Sequence, residues 1–181
     1  VGMKNALRRL KPDNLDDIIA LGALYRPGPM DNIPSYIACK HNEKEVDYLH
    51  PILTEILKPT YGVIIYQEQV MQIAQVLAGY SLGAADLLRK AMGKKIPEVM
   101  EAEKGKLLEG FVKNGMTEKK ANEFWLLIEP FAAYGFNKAH AASYGRVAYQ
   151  TSYMKANYPY AYMTAILTHE SGDIDKISEI V

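Results

Sequence analysis

The chain has 181 residues, a formal net charge of zero, 49% hydrophobic residues and 23% charged ones. This composition excludes a largely disordered chain and fits one ordinary domain, or one large and one small subdomain. With no net charge there is no global field to draw the molecule onto DNA or an anionic membrane, so any nucleic-acid contact must come from local basic clusters.

Cys39 is the single cysteine, which excludes an internal disulfide and every cysteine-rich zinc pattern. Set beside Tyr36, Ile37 and Ala38, it reads as a small buried hydrophobe, and a reducing, intracellular setting fits it. The opening "VGMKNALRRLKPDN" has no apolar core of signal-peptide length, and no run of about 18 apolar residues is present to span a membrane. The chain opens on Val1, with its first methionine at Met3, and "DIDKISEIV" stops in mid-pattern. The expectation is a domain excised from a longer polypeptide.

In chain order, Asp13 or Asn14 caps a helix running to about Leu24, with Leu15, Ile18, Ile19, Gly22 and Ala23 along one face. "YRPGPM" breaks it, because two prolines around a glycine cannot continue a helix. A second helix starts near Asp31 and carries Ile33, Tyr36 and Ile37. "HNEKEVDYLHP" is a polar connection with a short extended piece, and "PILTEILK" is a brief helix. "TYGVIIYQ" is the one strand-like run, β-branched and aromatic, too short to define a sheet.

From there the pattern is helical almost throughout. "EQVMQIAQVLAGY" spaces Val70, Ile73, Ala74 and Leu77 by three and four. "SLGAADLLRKAMGKK" starts at a Ser81 cap and is expected to stop at Gly93. "IPEVMEAEKGKLLEGFVKNG" has Pro97 in its first turn and ends at Gly115. The next helix starts at a Thr117 cap, carries Trp125, and should kink or lose its regularity at Pro130. "GFNKAHAASYGRVAYQ" opens a helix to about Asn157, "YPYAYMTAILTHE" is another, and "DIDKISEIV" begins a last one. The fold class is all-α, with at most a short β element. Tyr61, Tyr66, Trp125 and Phe131 are expected to pack between helices, and Tyr144, Tyr149 and Tyr153 are read mostly as core.

Catalysis by this chain alone finds little support. His41, His50, His140 and His169 lie in different segments without metal-ligand spacing, and no nucleophile elbow, Walker A sequence or dinucleotide fingerprint is present. "GDID" offers Asp173 and Asp175, which on a strand would share a face and suit two cations. Their setting between Ser171-Gly172 and "KISEIV" points instead to the acidic start of a helix.

Two clusters suit anion binding. "LLRKAMGKK" places Arg89, Lys90, Lys94 and Lys95 within seven residues. Cations at a helix C-terminus are ordinary, and Asp86 can pair with Lys90 at i, i+4, yet so many like charges repel unless an anion arrives. In "GFNKAH", an Asn137 cap would put Lys138 and His140 in the first turn of a helix. There free backbone N–H groups, the dipole end, an ammonium and an imidazole would converge. A plain capped helix with a solvated lysine is the competing reading. Spacing alone leaves both open.

"ALYRPGPM", "YGVIIYQEQVMQIAQVLAGYSLGAADLLRKAMGKK" and "YGFNKAHAASYGRVAYQTSYMKANYP" closely resemble the fingers region of the bacterial C-family replicative DNA polymerases, the polymerase III alpha subunits. The blocks stand in the family's order and nearly its spacing. The resemblance covers essentially the whole chain, from "ALRRLKPDNLDDIIAL" to "AILTHESGDIDKI". It implies a lead-in helix and YRPGP turn over residues 1–30 joining palm to fingers, a helical fingers domain over 31–170, and the start of the following segment over 171–181. In this family a palm domain carries three aspartates that bind two Mg2+ ions. None of them matches a position here, so this chain is not expected to catalyse alone.

By motif match, Arg89 and Lys90 stand where the family usually has two arginines, and with Lys94 they are expected to meet the triphosphate of the incoming dNTP. Lys90 keeps the charge but loses the bidentate fork. Asn137, Lys138 and His140 match the family's "FNKxH" block, facing nucleotide and template; Ala139 stands where serine is common. Arg26 and Lys95 are expected as DNA contacts. The implied partners are primer-template DNA, the dNTP, and the palm and thumb of the parent chain. A sliding clamp and a proofreading exonuclease would be reached through regions outside this one, and a cytoplasmic, nucleoid setting is implied, with no membrane. The alternative is a stand-alone helical module that binds DNA or protein without nucleotide specificity.

Overall fold

A computed structural model describes residues 2–94 and 97–180, the side chains of residues 92, 93, 97–100 and 130–134 excepted. Among these residues the regular structure is helical, with no strand. The segment before Lys11, read from sequence only as a lead-in, forms α1 (Gly2–Leu10). Asn14 is the cap of α2 (Leu15–Leu24), its Oδ1 accepting from the Asp17 N–H at 2.9 Å. The "YRPGPM" break holds: Gly28 takes φ 96°, and a short 3-10 turn (Pro29–Asn32) leads into α3 (Ile33–Lys40). α4 (Thr54–Leu57) is a single turn between two 3-10 pieces.

The strand expected in "TYGVIIYQ" does not form. The run makes one isolated parallel bridge, Tyr66 with Phe136. Its hydrogen-bonding groups go elsewhere, because the Gln69 Oε1 accepts from the Ile65 and Tyr66 N–H groups at 2.8 and 3.0 Å. Ile64, Ile65 and Tyr66 are buried against helices rather than a second strand. β propensity reports a half-buried pleated surface, and here helices supply that burial.

The rest follows closely. α5 (Gln67–Ala78) is followed by α6 (Leu82–Lys94), where Ser81 Oγ accepts from the Ala84 N–H at 3.2 Å. α6 runs through Gly93 to Lys94, so that glycine is not the stop expected of it. α7 (Pro97–Lys113) precedes Gly115, at φ 97°. α8 (Glu118–Tyr134) starts after the Thr117 cap and continues past Pro130, so the proline does not end it. α9 (Lys138–Asn157), α10 (Pro159–His169) and α11 (Ile174–Ile180) complete the chain.

Two apolar cores form. One gathers Leu53 and Leu57 with α5 to α8, including Ile73, Leu77, Leu107, Phe111 and Trp125. The other joins α1, α2 and α3 to Ile65, Tyr66 and Ala141 of α9. Cys39 and Tyr66 are buried and Tyr61 half-buried, as expected, whereas the Phe131 side chain lies outside the described ones. Tyr144, Tyr149 and Tyr153 are exposed by 68%, 49% and 48%, against their reading as core. The reason is that the small residues of α9 make the close contact with α2, while Tyr144 and Tyr149 flank it and line open clefts: a Cβ built on Gly145 would lie 2.8 Å from Ile19 Cγ1, and Ala141 is buried beside it.

Close approach also governs α7 on α5. A Cβ on Gly110 would sit 2.5 Å from Ala78 Cα, whereas one on Gly105, on the same helix, would meet nothing within 4 Å. Alanine gains helix propensity at both sites, but only Gly110 must move backbone to accept it. Gly105→Ala should therefore stabilise by ~0.4–1 kcal/mol, and Gly110→Ala should destabilise by ~1–3 kcal/mol. Urea midpoints of the two variants measure this directly.

A buried polar network ties α2 to α3. Asp17, 1% exposed, takes the Lys40 ammonium at 2.7 Å and the hydroxyls of Tyr36 and Tyr61 at 3.3 Å each. Asp13 accepts from the same ammonium at 2.8 Å. Burial opposes the Lys40 charge, but the hydrogen bonds it donates to Asp13 and Asp17 outweigh it and raise its pKa. The Lys40 bond holds the Asp13 carboxyl below its ordinary value. The depressed Asp13 contributes stability above the unfolded carboxylate pKa, lost as pH falls through the folded one. The raised Lys40 contributes below the unfolded lysine pKa, lost as pH rises through the folded one. Denaturant midpoints should fall on both limbs, and Asp13→Asn should flatten the acid limb and weaken the alkaline one, because Asp13 also helps to raise the Lys40 pKa.

Candidate nucleotide site at the start of helix α9

The start of α9 is placed by two backbone hydrogen bonds. Phe136 donates to the Ile65 carbonyl at 3.1 Å, and Gln67 donates to the Phe136 carbonyl at 3.0 Å. Asn137 is the cap, with extended backbone, and its Oδ1 accepts from the His140 N–H at 2.8 Å. The capping geometry expected from sequence is present.

One of the free N–H groups expected beside it, that of Lys138, is already taken. Glu68, in the first turn of α5, brings both carboxylate oxygens to 3.0 Å from the Lys138 N–H and accepts from Asn137 Nδ2 at 3.2 Å. The helix end holds an anion, and that anion belongs to the chain itself. A carboxylate there complements the dipole. What faces outward is therefore side-chain charge: Lys138 and His140 are exposed, the ammonium 5.5 Å from the Tyr66 ring centre. The His140 ring packs between Phe136 and Tyr144, at centroid separations of 5.4 and 4.7 Å. Beside it a mainly apolar cleft of about 370 Å³ opens between α1, α2 and α9.

The second cluster lies along α6. Asp86 holds both cations, one oxygen accepting from Arg89 Nε and Nη2 at 2.9 and 2.8 Å and the other from Lys90 Nζ at 2.8 Å. The Lys90 and then the Arg89 hydrogen bonds lower the Asp86 pKa, so it stays ionised. Arg89 Nη1 also reaches Gln67 Oε1, at 3.5 Å, the outer limit of a hydrogen bond. Lys94 is exposed at the last residue of α6. Lys95 lies outside the described residues.

Sequence-adjacent residues at the start of α5 thus meet both clusters: Gln67 contacts Arg89, and Glu68 contacts Asn137 and the Lys138 amide. Arg26 joins the α9 side, its guanidinium 4.7 Å from the Phe136 ring centre and its Nε donating to the Ala23 carbonyl at 3.0 Å. Burial lowers its pKa from the ordinary value. Arg26, Asn137, Lys138 and His140 therefore form one neighbourhood, and Arg89 adjoins it across α5. Sequence reasoning missed Gln67 and Glu68. An acidic residue in a first turn is accounted for by its own helix, and nothing in the spacing shows that it caps another.

"GDID" is a helix start. Asp173 Oδ1 accepts from the Lys176 N–H at 3.1 Å, and its other oxygen lies 3.6 Å from the Lys176 ammonium. Among the described residues no three His, Cys, Asp or Glu side chains gather to hold a metal ion. No described helix is long and apolar enough to cross a membrane.

The bacterial DNA polymerase III alpha subunit finger domain family matches residues 1–115. DNA polymerase III subunit alpha of Rickettsia conorii is 61% identical over 178 residues, 98% of this chain and 15% of that protein. The subunit from Borreliella burgdorferi is 52% identical over 177 residues, covering 98% of this chain and 15% of that protein. That from Pseudomonas aeruginosa is 49% identical over 187, covering 99% and 16%. The chain thus spans about 15% of the length of the relatives it matches. The family match stops before α8, but the pairwise matches run over nearly the whole chain and so take in α9. With more than half its length matched, and an all-α architecture in which both expected basic clusters meet the start of one helix, this chain belongs to the bacterial DNA polymerase III alpha subunit finger domain family.

Proposed function

We propose that this chain is the fingers part of a replicative DNA polymerase, and that its basic clusters receive the triphosphate of the incoming dNTP beside the nascent base pair. The observation that carries the proposal is the contact of Gln67 with Arg89 and of Glu68 with the Asn137–Lys138 cap, which puts the two clusters on either side of one helix start. Lys138 and His140 approach from α9, and Arg89, Lys90 and Lys94 from α6. Arg26 and Lys95 serve the DNA beside them.

The chemistry follows from charge. Release of pyrophosphate accumulates negative charge on the leaving phosphates, and cations already fixed around them stabilise that transition state without reorganising. Arg89 offers a planar fork to phosphate oxygens and Lys90 a point charge. Both are held by Asp86 in this structure, so an arriving triphosphate exchanges one anionic partner for another.

Mg2+, when bound in the parent enzyme, supplies charge neutralisation at the reacting oxygens. Among the described residues no three His, Cys, Asp or Glu side chains gather to hold it, and Asp173 caps α11. Metal binding is assigned to a palm elsewhere in the polypeptide, and this chain is not a catalyst by itself. Primer-template DNA, palm and thumb are its partners; contacts with a sliding clamp and a proofreading exonuclease lie outside it. The setting is the bacterial cytoplasm, at the nucleoid.

In the full-length polymerase, Arg89→Ala should raise the KM for dNTP by ~10-fold or more, as expected for a lost hydrogen bond to a charged group, while primer-template affinity holds. Lys138→Ala should act in the same direction, less severely. Steady-state kinetics with varied dNTP, beside primer-template binding by anisotropy, measures both. A loss of DNA affinity with unchanged dNTP dependence would favour a helical DNA-binding module instead.

A further inference from the structure

Among the described residues Glu68 is the carboxylate placed against the basic start of α9, and it belongs to a different helix. Its geometry differs from that of a surface ion pair. Both oxygens address a backbone N–H, that of Lys138, and one also takes the Asn137 side-chain amide. It makes no ion pair with the Lys138 ammonium, which stays outward over Tyr66. The group it fixes is therefore the backbone from which Lys138 and His140 project.

Neighbouring bonds divide this work. The Ile65–Phe136–Gln67 hydrogen bonds anchor the residue before the cap, and Asn137 Oδ1 anchors the His140 N–H three residues further on. Between them, among the described residues, Glu68 alone reaches the Lys138 N–H. Its backbone is in turn held firmly, because Gln69 next to it is buried and hydrogen-bonded to Ile65, Tyr66, Ile56 and Thr60.

We infer that Glu68 is a positioning residue for dNTP use: it holds the first turn of α9 at fixed distance from α5, and so sets where Lys138 and His140 stand relative to Arg89. This rests on the triphosphate-clamp reading above. It assigns Glu68 no contact with nucleotide. Reach is what matters, because the acceptor must span from α5 to the Lys138 amide; the negative charge is secondary.

Two substitutions separate reach from charge. Glu68→Asp keeps the charge and shortens the side chain by one methylene. Glu68→Gln keeps the length and a carbonyl acceptor but removes the charge. In the full-length polymerase with primer-template DNA, Glu68→Asp should raise the dNTP KM by ~10-fold, the order expected when a binding group is misplaced. kcat at saturating dNTP and primer-template affinity should change little. Glu68→Gln should stay within about twofold of the parent.

A lower KM in Glu68→Gln, with Glu68→Asp unchanged, would show that the carboxylate competes with nucleotide and would overturn the inference. So would an unchanged KM in both variants alongside a raised KM in Arg89→Ala, which leaves the clamp standing. If Arg89→Ala is also without effect on dNTP use, the clamp itself falls. A loss of primer-template binding or thermal stability that parallels the KM change in Glu68→Asp would assign Glu68 a general structural role and overturn the proposal.

Discussion

The side chain of Gln69 organises the extended stretch before α5. Its carbonyl oxygen takes the Ile65 and Tyr66 N–H groups, and its amide donates to the Ile56 carbonyl and the Thr60 hydroxyl. All four bonds are made by one residue that is 5% exposed. A buried amide left with half of them would cost ~1–3 kcal/mol. Because they are all made, the extended segment before α5 lies in a single position. The remaining Ile65 carbonyl then meets Phe136, and α9 starts where that contact puts it.

From that constraint the site is built outward. α9 packs along α2 through Gly145 and Ala141, which sets its direction, while the Phe136 contact sets its axial position. The carboxylate of Glu68 fixes the Lys138 backbone in its first turn. On α6, Asp86 gathers Arg89 and Lys90 to one point. Asp86 thus lowers the repulsion between its two cations at the cost of competition with an arriving anion, whereas Glu68 holds backbone and leaves the Lys138 ammonium outward.

Much of this was legible in the sequence. Caps at Asn14, Ser81, Thr117 and Asn137 were readable because capping is a contact of a side chain with backbone two or three residues on. The buried positions of α5 were readable from spacing, since a helix face repeats with its own period. The expected strand failed because hydrogen-bond partners are a tertiary matter, and Gln69 claimed the donors that a neighbouring strand would have used. The tyrosines of α9 failed similarly. Tyr144, Tyr149 and Tyr153 have helical spacing, but spacing does not say which residues make the close contact with α2, and the small ones took it, leaving Tyr144 and Tyr149 at its edges.

The sequence by itself determined the local quantities: the class of fold, most helix starts, two clusters of cations, and a family membership carried by contiguous blocks. Each depends on residues close together along the chain. Only the tertiary structure decided that the two clusters flank the start of α5, that the Lys138 N–H at the start of α9 is occupied by Glu68, and that Arg26 lies beside Phe136. Those facts join residues far apart in sequence, and a hydrogen bond between Glu68 and Lys138 exists only once the packing of α5 and α9 has brought them within 3.0 Å.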